Sequence, residues 1–168
     1  MSELTAKLEQ LQNGIPQEVR DACWDSAEKM EREAKSHVYD GLTYQDGMIR
    51  DSIHAIMTER ETSISFGIFT DLDIAIYHEM GTGPVGTAAG YPGEGELDTP
   101  VSRRADGWVY QSEEVAAQRG EEYVKNEKGG HVYTEGVKPQ AFMYNAAQTL
   151  QDAILETLAD AAGEVFEE

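Results

Sequence analysis

Cysteine is nearly missing from this chain. One residue, Cys23, stands alone among 168, which excludes an internal disulfide framework and fits a reducing compartment, so a cytoplasmic setting is expected. Positive charge is scarce too. Thirteen lysines and arginines face 32 aspartates and glutamates, for a net charge of −19. Such a surface repels phosphate, which argues against sequence-reading or tight nucleic-acid binding and against anionic membranes. Long apolar runs are missing: Ile74-Ala75-Ile76-Tyr77 is typical of the longest, so no membrane span is expected. The opening "MSELTAKLEQLQ" mixes charges and has no secretory apolar region. There is no internal repeat, Walker loop, nucleophile elbow or C-x-x-C.

What is present belongs to an ordinary globular chain, 40% hydrophobic and 27% charged. One domain spanning residues 1–168 is expected. Pro16, after the Asn13-Gly14 break, opens a helix over 16–38. Val19, Cys23, Ala27, Met30, Ala34 and Val38 form its apolar stripe, with Glu28, Lys29, Glu31, Arg32 and Glu33 opposite. Residues 3–12 allow a short helix or an arm that orders on a partner. "DGLTYQDGM" reads as loop. Strands are expected at 52–57 and 62–68, around a polar "TERE" turn; Ile64, Phe66 and Ile68 alternate with Ser63, Ser65 and Gly67. "DLDIAIYHEM" admits a strand through Ile74 and Ile76, or a short helix capped by Asp71 or Asp73; the helix is preferred.

From Gly81 to Gly107 glycine recurs, with Pro84, Pro92 and Pro100. This reads as a long loop, part of a loop-and-hairpin excursion over 84–137. Short strands are expected at 108–110 and 131–134, enclosing a charged stretch with room for a helical turn or two. Ala147, Leu150, Ile154, Leu158, Ala161 and Val165 mark a final helix over about 145–166. The class is α+β: a small antiparallel sheet with two amphipathic helices covering one face.

The stretch "HEMGTGPVG", residues 78–86, offers two chemical readings. A zinc-protease helix needs His-Glu-x-x-His, but position 82 is threonine, and His37, His54 and His131 are scattered. That leaves His78 as a partly exposed polar residue beside a turn. The alternative kept open is a small metal-dependent hydrolase using His78, Glu79 and a distant histidine. The spacing Gly81-x-Gly83-x-x-Gly86 outlines a dinucleotide loop, which must open a helix; Gly90, Pro92, Gly93 and Gly95 are expected to prevent one. Cys23 lies on an apolar stripe and reads as core. No cofactor and no catalytic residue is expected.

Three segments in order, "GMIRDSI" (47–53), "IAIYHEMGTG" (74–83) and "HVYTEGVKPQAFMYNAA" (131–147), lie between a long helix and a closing one. In this the chain resembles the head–tail joining, neck or tail-completion proteins of long-tailed bacteriophages. "GWVY" before a hairpin ending "YTEG" also fits that family's variable mid-region. Met80 stands where an aromatic is usual, Met48-Ile49 replace a leucine pattern, and Ala141 and Asn145 replace prolines. The resemblance implies a structural, non-enzymatic virion protein, assembled in the host cytoplasm into a ring of six or twelve copies. Its partners would be other neck, connector and tail proteins, with DNA passing through without sequence-specific binding.

Within that reading, Glu79, Gly81, Thr82 and Gly83 form a structural turn, with Glu79 accepting hydrogen bonds from the turn's own N–H groups. Ile53, Tyr77, Pro139 and Phe142 are expected to anchor the core, with Met80 assisting. Pro84, Tyr91, Arg103, Arg104 and Trp108 are expected at the subunit interface. Acidity suits a channel wall, a salty habitat or high solubility.

Overall fold

The computed structural model describes residues 14–38, 46–96, 103, 105–110, 117, 123–126 and 129–167. Helix α1 runs Gln17–His37, with Pro16 one residue ahead of it at ψ 150°. Proline's fixed φ suits that position, and its missing N–H costs nothing there. Glu18 in the first turn and Lys35 and His37 in the last complement the helix dipole. The expected stripe faces inward, with Cys23, Ala27, Ala34 and Val38 buried.

Helix α2 (Asp46–Ser52) follows, where a loop is expected up to Met48. Ile49 and Ile53 are fully buried at its end. Strands β1 (His54–Arg60) and β2 (Ser63–Phe69) make an antiparallel hairpin in which His54 faces Phe69 and Arg60 faces Ser63. The strands therefore run on to Arg60, and the turn is Glu61-Thr62 rather than the whole of "TERE".

Helix α3 (Asp73–Met80) takes the helical alternative for the ambiguous apolar stretch. The expected long loop is partly ordered. Helix α4 (Gly83–Ala89) and a 3-10 turn at Glu94–Glu96 occupy its first half. Strands β3 (Trp108–Tyr110), β4 (Val124–Asn126) and β5 (Gly129–Thr134) form a second antiparallel sheet in the order β3-β5-β4. Within the charged stretch, the expected helical turns at its centre fall largely outside the described residues, and a strand lies at 124–126.

Helix α5 (Phe142–Glu167) closes the described chain, starting three residues earlier than its apolar spacing suggests. The architecture is α+β, with one difference in packing. Among the described residues, only α1 lies along both hairpin strands, and the main partner of α5 is α1. Small buried side chains, Ala22, Ser26, Ala27 and Ala34, line α1 and permit close helix–sheet and helix–helix approach. Ser26 satisfies its buried hydroxyl by donating to the Ala22 carbonyl at 2.7 Å. At one end, Ala34, Val38, Ile49, Ile53, Ala75, Phe142 and Ala146 form a closed cluster, with Ile68, Leu72, Ile74 and Met143 packed against it. The fully buried Phe142 ring alone contributes about 2–3 kcal/mol of apolar burial. Among the described residues, no helix is long and apolar enough to cross a membrane.

Candidate functional site

The segment 78–86 sits at a corner where α3 ends and the chain turns toward α4. Gly81 has φ 74° and Gly83 φ 63°, the left-handed region that glycine enters without steric cost. Space matters as much as angle. A Cβ on Gly81 would lie 2.6 Å from Pro139 Cδ, so the corner and the approach to α5 are packed backbone against ring. Gly136 answers from the segment after β5 at φ 99°, where a side chain would strike the Thr82 carbonyl.

Hydrogen bonds lace the two segments together. Thr82 N–H donates to Val137 O at 2.9 Å, and Val137 N–H donates to the Thr82 hydroxyl at 3.2 Å. Val85 N–H reaches Glu135 O at 3.1 Å. Gln140 N–H and Ala141 N–H donate to the carbonyls of His78 and Glu79, at 2.8 and 3.1 Å.

Glu79 is buried, and its carboxylate does not serve the turn that carries it. Oε2 accepts from Met143 N–H at 2.9 Å; Oε1 accepts from Tyr144 N–H at 3.0 Å and from the Tyr91 hydroxyl at 2.9 Å. Met143 and Tyr144 are the second and third residues of α5, where a capping side chain at the residue before the helix would normally accept. That residue is Ala141, which has no acceptor and sits at φ 51°. A carboxylate 64 residues upstream supplies the cap, with a charge favourable to the helix dipole.

His78 is 3% exposed, not the partly exposed residue its place beside a turn suggests. Its Nδ1 lies 3.1 Å from Gln140 Nε2, tying the same two segments again. Tyr77, expected in the core, is 56% exposed. A helix of eight residues alternates sides every two, and Ala75 and the 78–79 pair take the inward side. Ile53 and Phe142 are fully buried, and Pro139 is half-buried against Gly81.

The expected interface residues are placed differently. Tyr91 is buried, bound to Glu79, and meets Tyr144 edge to face with ring centroids 5.8 Å apart. Arg103 has a side chain only 7% exposed. Its guanidinium donates from Nε and Nη2 to the Met80 carbonyl at 3.0 and 2.8 Å, and from Nη1 to Glu94 at 3.0 Å. It fastens the glycine-rich stretch back onto the corner. Both side chains are thus engaged within the subunit. Pro84 is half-buried in the first turn of α4, Trp108 contributes backbone to β3, and Arg104 lies outside the described residues.

Chemically, the corner is a joint. Glu79's oxygens are engaged by three donors, and among the described residues no three of His, Cys, Asp and Glu gather as metal ligands. The expectation that Gly81-x-Gly83-x-x-Gly86 opens no helix is corrected, since α4 begins at Gly83. Yet a Cβ on Gly86 would lie 2.7 Å from the Gly81 carbonyl carbon; the helix start is filled by the protein's own chain. No family model, no curated protein and no solved structure matches this chain.

Proposed function

We propose that this chain is a non-enzymatic subunit of a bacteriophage head–tail connector, a neck or tail-completion protein that joins head to tail around the DNA passage. One observation carries the reading. The three ordered segments of the resemblance, distant in sequence, meet in one cluster: Ile49 and Ile53 from the first, Ala75 from the second, Phe142 and Ala146 from the third. Residues that resemble a family in three separate places thus pack into one core, which supports a likeness of fold.

On this reading the subunit assembles with copies of itself into a ring of six or twelve. Its task is geometric, matching the connector of the head to the tube of the tail. Net charge −19 suits a passage wall, because negative surface does not hold passing DNA. A hydrolase built on His78 and Glu79 gains no support, since both side chains are committed to holding the approach to α5. Imaging of whole particles carrying this chain is the test. The expected result is one collar of density at a single level between head and tail. Particles of normal composition and infectivity that lack the polypeptide overturn the reading.

A further inference from the structure

The hairpin and α5 both rest on α1, and each leaves an outer face bare. Register fixes the hairpin's outer positions: His54, Ile56, Thr58 and Arg60 on β1, paired with Phe69, Gly67, Ser65 and Ser63 on β2. Their partners on the alternate positions, Ala55, Met57, Ile64, Phe66 and Ile68, are half-buried on the inner side. In a chain with 32 acidic residues, these eight outer positions hold no carboxylate. They hold two large exposed apolar groups, Ile56 (45%) and Phe69 (49%), and Arg60, which has no ion-pair partner among the described residues.

The outer face of α5 is its opposite in charge and its equal in length. Asp152, Glu156, Asp160 and Glu164 are exposed and recur every four residues, forming one ridge. None has an ion-pair partner among the described residues. Beside the ridge stands Leu155, 58% exposed, with the small Ala159 one turn on. Asp152 and Glu164, twelve positions apart on the helix, are separated by about 18 Å, and His54 and Arg60, six positions apart on the strand, by about 20 Å.

We propose that the outer face of the hairpin receives the outer face of α5 from a second copy of this chain, head to tail. Leu155 seats between Ile56 and Phe69, over the gap left by Gly67, and Arg60 meets the acidic ridge. Charge selects this pairing: acid faces acid in most other self-contacts of so negative a chain, and a face without carboxylates is the surface that escapes that repulsion. The two faces differ, so the contact is heterologous. It propagates into a ring or filament and does not stop at a dimer. This inference rests on the self-assembly part of the proposed function and is independent of the phage assignment.

Sedimentation velocity on the full chain, up to about 1 mM, the weak end of specific association, gives the test. Native protein is expected to grow beyond dimers with concentration. Arg60→Glu and Glu156→Arg are each expected to weaken association about tenfold or more, and the double variant, which exchanges the charges, to restore most of it. Leu155→Asp is expected to abolish it. All these side chains are exposed, and circular dichroism checks that each variant stays folded. A chain that remains monomeric, stops at a symmetric dimer, or ignores both single reversals overturns the proposal. Assembly through these faces by a chain absent from virions would sink the phage reading alone. A collar whose formation ignores Arg60 and Glu156 would sink the face assignment alone.

Discussion

Glu79 is one buried residue that does what three separate groups would otherwise do. It caps α5, holds Tyr91 and, through its main chain, binds Ala141. Replacing it by alanine removes the carboxylate that two helix N–H groups and the Tyr91 hydroxyl bind. The expected loss is about 2–4 kcal/mol, combining a cap deletion with an orphaned hydrogen bond. Glu79→Gln keeps one acceptor oxygen and loses the charge, so about 1–2 kcal/mol is expected. Urea unfolding measures both, and hydrogen exchange at Met143 and Tyr144 locates the effect. A catalytic glutamate behaves in the opposite way: its glutamine variant keeps full stability and loses turnover, and that outcome would falsify the structural role. The local sequence announces none of this cap. Glu79 reads as half of a metal motif because its true partners lie 64 residues away, and no local pattern records a contact at that distance. Asn145, a capping residue type at the start that the apolar spacing suggests, hides the true start at Phe142, where Lys138 to Ala141 offer no Ser, Thr, Asp or Asn.

Elements with a regular apolar period were legible, and those held by tertiary contacts were not. The stripes of α1 and α5 and the alternation in β2 name their own inward faces, since burial repeats with the geometry of helix or strand. Helix α4 is the contrary case. Its sequence, GPVGTAA, has poor helix propensity, yet the Gly86-to-Thr82 bond and the lacing to Glu135 and Val137 hold it in place. Glu31 shows the same limit on an otherwise legible helix. It reads as part of the polar side of α1, but its carboxylate reaches across to β1, accepting from Ala55 N–H and from Lys35 Nζ, each at 2.6 Å. Those two donors, Lys35 foremost, hold the Glu31 carboxyl below its usual value of 4.5. A carboxyl depressed on folding adds stability above its ordinary pKa and loses it as pH falls through the lowered one. Native protein is therefore expected to exceed Glu31→Gln by about 1 kcal/mol at neutral pH. The difference should shrink steadily below pH 4.5. Paired urea titrations across that range check it; a gap that persists or widens in acid contradicts the assignment.

At the scale of the whole molecule, charge outweighs any single contact. Thirteen cations cannot neutralise 32 carboxylates, and several are spent on local ties: Arg20 to Glu59, Lys35 to Glu31, Arg103 to Glu94. Each such tie contributes about 1 kcal/mol or less, whereas repulsion among the surplus acids acts on the entire compact state and is relieved by unfolding. Salt screens the two unequally. Between about 0.05 and 1 M sodium chloride the screening length falls from more than 10 Å to about 3 Å, which removes most repulsion between separated carboxylates while touching buried ties such as Glu79 hardly at all. The melting temperature of dilute protein is therefore expected to rise with salt, by about 2–4 °C for each kcal/mol of repulsion relieved in a chain this long. Neutralising the α5 ridge as Asp152→Asn, Glu156→Gln, Asp160→Asn and Glu164→Gln removes four exposed charges. That variant should melt higher at low salt and respond less to added salt. A melting temperature that falls as salt rises would mean that attraction outweighs repulsion in the folded state. The acidic surplus would then be locally compensated, and the charge selection that singles out the carboxylate-free hairpin face for self-contact would lose its basis.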